Sequence, residues 1–339
     1  MKKTLYVISN EKIFESDNNF FCDNLDMRST PEGLSKYFEI KIISRKSKIN
    51  RSQKINLKSI KNFSNIISYL FEVVKNCKNK NSKFLLISLS PYTFFSGLLI
   101  RMFGNKPFLY LRSNGYEEYK IILGSLGRFI YHLMFVSIAK VSTLISCRDH
   151  ILMGKNGHLV NPSQLDNFWK EDFHPPKTDA IRLIYIGRLR KEKGIFSLID
   201  MVKNQKEIKL TVVGASEDED KTINYQNIDI VKIVSEKRKL IEFYDQNNIT
   251  ILPSYTEGYP MVVLESLSRQ RPVIIFGEIK HIISNRKGIF VADRNLESLL
   301  KTINYIMDNY QSIQLSIKSN KLPDNEEFIN QMQKIILTN

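Results

Sequence analysis

At 339 residues the chain exceeds what one hydrophobic core usually holds, so two domains are expected. Hydrophobic residues make up 42% and charged residues 25%, which is ordinary for a globular protein and excludes a low-complexity chain. No apolar run reaches the roughly 18 residues that cross a bilayer, and the start MKKTLYVISN lacks a signal-peptide core. We therefore expect a cytoplasmic protein.

Cysteines and histidines are too scattered to predict a metal site. Cys22, Cys77 and Cys147 share no metal-ligand spacing, and the five histidines form no paired motif. We expect reduced cysteines and no structural metal.

Positive charge is concentrated in the first half of the chain. The net charge is +15, and residues 1–175 hold 26 Lys and Arg against 14 Asp and Glu. Between Glu39 and Glu72 no acid occurs, but eight basic residues do: Lys41, Arg45, Lys46, Lys48, Arg51, Lys54, Lys58 and Lys61. We predict that basic residues 41–61 contact an anionic membrane surface or a lipid-linked acceptor. A merely solvated face is the alternative, and nucleic acid is not expected because no recognition motif accompanies the charge.

Apolar strand patterns alternate with helical patterns through the first half. The predicted strands cover residues 4–9, 39–44, 84–88, 107–111 and 142–146. Helices are predicted at 62–75 and 92–103. Residues 121–140 are predicted to form a helix that packs on the sheet. The alternative is that this helix lies against a membrane surface. This alternation predicts βαβ units and a mainly parallel sheet.

A second series of βα units follows residues 172–179, DFHPPKTD, whose composition is that of a linker. Strands are predicted at 182–186, 208–213, 229–233, 250–252, 273–276 and 288–291. The chain is therefore divided into a first domain of residues 1–175 and a second domain that begins at residue 176.

Residues 183–198, LIYIGRLRKEKGIFSL, predict a cationic loop between a buried strand and a helix. Arg188 and Lys193 lie five residues apart in this loop, at the carboxyl end of a strand, where open α/β sheets bind ligands. An Arg fork and a Lys point charge together suit a diphosphate.

Residues 251–272, ILPSYTEGYPMVVLESLSRQRP, place two carboxylates around the start of a helix. Glu257 precedes the helix and Glu265 lies eight residues later, so both can face one cleft. Pro260 suits the first helical turn, whose free N–H groups form a seat for an anion. The segment offers backbone donors for phosphate beside carboxylates suited to sugar hydroxyls.

The two motifs together resemble those of retaining nucleotide-sugar glycosyltransferases of the GT-B fold, in the large family 4. The resemblance covers residues 181–300 well and the first 150 only loosely. It implies an α/β protein made of two Rossmann-like domains, whose parallel sheets face each other across a cleft. The first domain would bind the acceptor and the second, residues 176–314, the nucleotide-sugar donor. In the family the last helix crosses back to the first domain, which assigns residues 315–339 to that return, with 326–337 as the candidate helix.

The resemblance also assigns roles to individual residues. Glu257, Arg188 and Lys193 match the catalytic positions, where the carboxylate contacts the transferred sugar and the cations grip the phosphates. Donor-binding positions are matched by Glu265 (at the ribose), Gly258, Tyr259, Pro260, Gly187, Val234 and Asn114. The nucleobase is expected near residues 233–235, where backbone groups would read it. Arg190 and Lys191 are expected to be replaceable neighbours of the site.

The reaction implied is transfer of a sugar from a nucleoside diphosphate, with UDP as the expected nucleotide, to a hydroxyl of a surface polysaccharide or lipid-linked glycan. Cationic side chains and helix-end amides would stabilise the departing diphosphate, so activity without a metal or other cofactor is predicted. The implied stereochemistry is retention.

The first domain departs from the family pattern at two places. Ser9-Asn10-Glu11 stands where many members have a glycine-rich loop, and Arg112 to Gly115 stand where many have a His. Asn114 is accordingly assigned either a donor contact or a local turn. Two other kinds of function stay open: another GT-B enzyme, such as an epimerase or phosphorylase, and a catalytically silent glycan- or membrane-binding partner.

Overall fold

The computed structural model describes residues 2–79, 81–215, 224–234 and 236–338. The chain forms two compact units, each with a parallel α/β sheet. The first unit comprises Met1–Pro162 together with Asn325–Asn339, and the second comprises Ser163–Asp324. The α/β class predicted from the alternation of patterns is confirmed.

The first unit is built on a sheet whose central strands are parallel. Its strands are β1 (Thr4–Ser16), β2 (Asn19–Cys22), β3 (Glu39–Lys46), β4 (Gln53–Ile55), β5 (Ile60–Phe63), β6 (Lys83–Ile87), β7 (Phe108–Leu111), β8 (Thr143–Ser146) and β9 (His158–Leu159). Its helices up to this point are α1 (Leu25–Leu34), α2 (Ile66–Cys77), α3 (Pro91–Met102) and α4 (Gly115–Ala139). The parallel order is β5-β3-β1-β6-β7-β8-β9, and β2 and β4 join antiparallel at the far end of β1.

The first strand is longer than its apolar pattern predicts. It continues past Ser9 to Ser16 and turns back at Asp17 and Asn18, whose φ angles are 49° and 59°. Such left-handed pairs are typical of tight hairpin turns. Because most side chains along residues 10–16 are polar, the hydrophobicity pattern does not predict this part of the strand. A strand and hairpin therefore follow Ser9, where the family has a glycine-rich loop.

The second unit contains a fully parallel sheet of order β12-β11-β10-β13-β14-β15. Its strands are β10 (Ile181–Ile186), β11 (Ile208–Ala215), β12 (Ile228–Lys232), β13 (Ile249–Leu252), β14 (Val273–Phe276) and β15 (Ile289–Ala292). Its helices are α5 (Ile195–Val202), α6 (Lys237–Gln246), α7 (Met261–Ser268), α8 (Leu296–Asp308) and α9 (Tyr310–Lys318). The central strands β13 and β14 are fully buried, and β10 is buried along its middle, as expected for a sheet covered on both faces.

The last helix, α10 (Asn325–Thr338), belongs to the first unit. It buries Phe328, Ile329 and Met332 in that unit's core and contacts α1. The candidate helix, residues 326–337, agrees with α10 to within one residue at each end, whereas the wider segment assigned to the return, residues 315–339, begins too early. Ile313 and Ile317 of α9 are buried in the core of the second unit, which holds that helix there.

The predicted boundary between residues 175 and 176 is also misplaced, since the second unit begins at Ser163. Trp169 is buried against Tyr244 in the second unit. The fully buried Arg269 donates hydrogen bonds to the carbonyls of Trp169 and Glu171 at 3.0 and 2.8 Å. Arg271, also fully buried, reaches the carbonyl of His174 at 2.9 Å. These guanidiniums, about a hundred residues downstream, attach the polar linker to the second unit.

The helix predicted at 121–140 is observed as α4 and begins six residues earlier. Its backbone leaves helical geometry at Gly124 (φ 65°, ψ −152°). Contrary to the sequence prediction, α4 meets the length and composition criteria for a membrane-spanning helix, but Tyr116 and Tyr131 pack at 4.8 Å across Gly124, so it is not one straight helix. Its most apolar window has a mean hydropathy of 1.6 and is only 28% buried.

Candidate donor site in the second unit

The two motif loops follow neighbouring strands of the second sheet. Arg188 and Lys193 come after β10, and Glu257 comes after β13, which pairs with β10 in parallel. Because both strands run in the same direction, both loops emerge at the carboxyl edge of the sheet. The structure therefore brings together the two motifs on which the donor-site prediction depends.

Backbone contacts hold the two loops against each other. The amide of Tyr255 donates to the carbonyl of Glu192 at 3.0 Å. Gly194 has a φ of +66°, and a Cβ at this position would overlap the carbonyl oxygen of Pro253. Only glycine satisfies both the left-handed backbone and this close approach. Gly194 is thus required for the contact between the loops.

Lys193 and Glu257 form an ion pair where the loops meet. The Nζ of Lys193 lies 2.7 Å from Oε1 of Glu257, which also accepts a hydrogen bond from Ser254 Oγ at 2.6 Å. The side chains of Lys193 and Glu257 are 24% and 11% exposed, so the pair is largely shielded from water. His281 Nε2 lies 2.8 Å from the Glu257 carbonyl oxygen and supports the same turn. A phosphate that reaches Lys193 would share its ammonium with the Glu257 carboxylate.

Arg188 presents an exposed side chain on a tightly held backbone. Its carbonyl accepts a hydrogen bond from Tyr185 Oη at 2.8 Å. The amide of Gly187 donates to the carbonyl of Val213 at 2.9 Å, and a Cβ at Gly214 would overlap the Gly187 carbonyl oxygen. The loop is therefore rigid where it leaves the sheet, and the guanidinium extends from a fixed base.

Glu265 lies in α7 and is only 5% exposed. Its Oε2 accepts a hydrogen bond from Tyr244 Oη at 2.8 Å. Burial and the nearby Glu265 carboxylate raise the pKa of Tyr244 well above its usual value, so this hydroxyl stays a donor. The carboxylate is thus fixed in orientation inside the unit rather than facing solvent.

The residues between the two carboxylates lead into α7. Gly258 and Tyr259 are half-buried, and the Tyr259 hydroxyl accepts a hydrogen bond from Arg286 at 3.0 Å. Pro260 is the N-cap of α7, one position before the first helical turn in which it was predicted. The free amides of that turn still begin directly after it.

The other predicted donor contacts are distributed between the two units. Val234 is half-buried and follows β12 at the same edge of the second sheet, whereas Ser235 lies outside the described residues. Asn114 belongs to the first unit, where its side chain caps α4 by accepting from the Tyr116 amide at 3.2 Å. The structure thus gives Asn114 a capping role, while a donor contact stays a prediction.

Arg294 supports the site although its sequence context does not predict this. Its guanidinium lies 4.0 Å from the ring centre of Tyr255 and 4.5 Å from that of Phe276. Its Nε donates to Glu278 at 2.7 Å. Tyr244, His281 and Arg294 all lie outside the two motifs, so their roles emerge only from the fold.

A cavity of about 810 Å³ in the second unit is not at this site. It is lined by Arg182, Lys209 and Asp229, which lie at the beginnings of their strands, and by α6. The motif loops occupy the opposite edge. Within the described residues, no group of three or more His, Cys, Asp or Glu side chains is placed to hold a metal ion.

Comparison with known proteins agrees with the motifs. Residues 167–325 match the family described as glycosyl transferases group 1. The capsular polysaccharide biosynthesis glycosyltransferase CapM of Staphylococcus aureus is 28% identical over 181 residues, covering 49% of this chain and 47% of that protein. The chain spans about half the length of the curated relatives it matches.

Two solved structures cover nearly the whole chain. Sucrose-phosphate synthase from Thermosynechococcus elongatus superimposes with a TM-score of 0.71 at 15% identity, over 99% of each chain. Anabaena HepE, solved in complex with UDP and glucose, gives a TM-score of 0.69 at 10% identity, over 99% of this chain and 100% of HepE. At these identities the likeness establishes the architecture.

Proposed function

We propose that the chain moves a sugar from a UDP-sugar to a glycan hydroxyl, because residues 167–325 match the group 1 glycosyltransferases and the fold is GT-B. The acceptor would be a surface polysaccharide or a lipid-linked glycan. The name of CapM supports a polysaccharide product, and the UDP complex of HepE supports the nucleotide. The second unit would bind the donor and the first the acceptor.

The observation that carries this proposal is the shielded Lys193–Glu257 pair between the two motif loops. In the proposed complex Lys193 and Arg188 bind the diphosphate, Glu257 contacts the transferred sugar, and Glu265 holds the ribose. A carboxylate can accept from both vicinal ribose hydroxyls. The paired carboxylates are therefore not a glycosidase acid and base.

In the proposed reaction the anomeric C–O bond to the phosphate breaks while the acceptor oxygen bonds to the same face of the sugar. The configuration is then retained, and the departing phosphate takes the acceptor's proton. The cations and the first-turn amides of α7 stabilise the diphosphate as its negative charge grows. We accordingly propose that turnover does not require a metal.

We further propose a cytoplasmic protein whose basic residues 41–61 strengthen contact with an anionic membrane. Acids from outside that segment neutralise part of its charge: Lys41 pairs with Glu39, Arg51 with Asp23 and Lys61 with Glu72. Lys46, Lys48, Lys54 and Lys58 remain exposed. The contribution of this segment should be modest and should fall with added salt.

The test is incubation of the full chain with a panel of nucleotide sugars, with and without chelator, and with lipid-linked or oligosaccharide acceptors. Acceptor-dependent release of the nucleoside diphosphate, unchanged by chelator, is expected. An epimerase would interconvert the sugar without acceptor. Failure of every nucleoside diphosphate to stabilise the protein against heat would instead indicate a silent binding partner.

A further inference from the structure

The exposed side of α4 carries an unusual concentration of large apolar side chains. Six of them are between 52% and 71% exposed, namely Ile121, Ile122, Leu123, Leu126, Phe129 and Leu133, and together they are called the α4 face. We propose that the α4 face inserts into the interfacial layer of an anionic membrane. This surface is distinct from the basic segment 41–61 and from the donor site of the second unit.

The opposite side of α4 is built into the first unit. Ile138 is buried against Gly97 of α3. Tyr116, before Gly124, packs ring against ring with Tyr131 and Phe135, after it, at centroid distances of 4.8 and 5.9 Å, so the two halves of α4 fold against each other. A segment attached in this way and folded back at Gly124 cannot cross a bilayer as one straight helix. It can lie in the membrane surface with its apolar side submerged.

Charge favours a lipid surface over a second copy of the chain. Lys120, Arg128 and Lys140 border the α4 face, and residues 119–140 contain no acid. The first unit as a whole holds 26 Lys and Arg against 13 Asp and Glu, a net charge of +13. A two-fold copy would bring these like charges together, whereas anionic headgroups attract them.

The α4 face also leads into a cavity of about 400 Å³ at the carboxyl edge of the first sheet. Tyr119, Ile122 and Leu123 line it from α4, and Glu11 and Arg112 line it from the sheet. A polar group anchored to lipid could therefore enter the cavity while its tail stays in the bilayer. This assignment of the cavity to a lipid-linked acceptor rests on the proposed function. The proposed insertion of the α4 face into a membrane does not rest on it.

Flotation of the full chain with vesicles tests the inference without any sugar. The probes are vesicles of phosphatidylcholine alone and vesicles that also contain phosphatidylglycerol. The double variant Leu126→Gln/Phe129→Gln should bind the anionic vesicles roughly tenfold or more weakly, because two exposed apolar side chains no longer enter the lipid. The matched control, Leu315→Gln in α9, removes a side chain that is 72% exposed in the second unit and should bind as wild type.

The inference would be overturned by a wild type that does not float with anionic vesicles, or by a double variant that binds them as wild type does. A wild type that dimerises through the α4 face, with the double variant monomeric, would also overturn it. Heat stabilisation by UDP should be equal in wild type and the double variant, which checks folding and the donor site separately. Vesicle binding without transferase activity would refute the proposed function while leaving this inference standing.

Discussion

The carboxyl edges of the two sheets are built in different ways. In the second unit, neighbouring strands deliver two short motifs whose side chains meet directly, as Lys193 meets Glu257. In the first unit, Arg112 pairs with Asp26 from far earlier in the chain, whereas Asn114 caps α4, the helix that follows it directly. Side chains that come from short loops leave a recognisable spacing in the sequence. Contacts between segments far apart in the chain leave none. The following experiments test this contrast.

The largest effect is expected from Lys193→Ala. Removing a cation that stabilises the leaving diphosphate should lower kcat by roughly 100- to 1,000-fold. The matched control is Arg190→Ala in the same loop, whose exposed side chain lies 3.9 Å from Glu192. Steady-state kinetics with a UDP-sugar measures both. Equal loss in the two variants would mean that loop charge, rather than the position of Lys193, matters.

Gly194→Ala should come next, because it strains the backbone and separates the two loops. A left-handed φ together with overlap on Pro253 is expected to cost about 2 kcal/mol or more in the free energy of unfolding. Gly277→Ala is the control, since no atom lies within 4 Å of a Cβ at that position. Urea denaturation compares them. A Gly194→Ala protein as stable as wild type would remove the claimed need for glycine.

Glu265→Gln should weaken UDP binding by roughly tenfold, because it removes a charge-assisted hydrogen bond to a ribose hydroxyl. The amide retains an oxygen that can still accept from Tyr244, so folding should survive. Isothermal titration with UDP measures the Kd. Glu297→Gln, an exposed acid in the first turn of α8, serves as the comparison. Unchanged affinity in Glu265→Gln would leave that carboxylate a structural partner of Tyr244 alone.

Asn114 separates capping from donor contact. Asn114→Ala should lower the free energy of unfolding by about 1 kcal/mol through loss of the cap on α4. Asn114→Ser keeps a capping oxygen and should restore stability. If Asn114 also contacts the donor, Asn114→Ser will remain slow in turnover although it is stable. Full recovery of both properties would assign Asn114 to the cap only.

The smallest expected effect concerns Glu11 in the first unit. Burial raises the pKa of this carboxyl and outweighs the opposing hydrogen bond from the Asp23 backbone. A raised pKa in the folded state means that folded protein binds the Glu11 proton more tightly than unfolded protein does. The contribution of Glu11 to the free energy of unfolding therefore falls as the pH rises from the unfolded-state pKa through the folded-state pKa. Glu11→Gln should therefore be more stable than wild type at neutral pH and should lose that advantage in acid. Thermal unfolding across this pH range would show the opposite slope if the carboxylate were stabilised by Arg112.

Much of the second unit could be predicted because its signals are local. Buried aliphatic runs predict β10, β13 and β14 to within one residue, since strands covered on both faces need such runs. The loop glycine and the charged positions of the two motifs come from spacing within each loop. The parallel sheet then places both loops on one edge, which made Lys193 and Glu257 predictable as neighbours.

What escaped prediction depends on partners far apart in the chain. The linker belongs to the second unit because Arg269 and Arg271 bind its carbonyls, and part of the basic segment is neutralised by acids outside it. The orientation of Glu265 depends on Tyr244, twenty-one residues away. The sequence by itself therefore determined the strands and the motif loops, whose hydrophobic period and turn chemistry are properties of neighbouring residues. Only the tertiary structure decided which charges are paired, where the units divide and which side of α4 remains exposed, because burial and pairing are set by the whole fold.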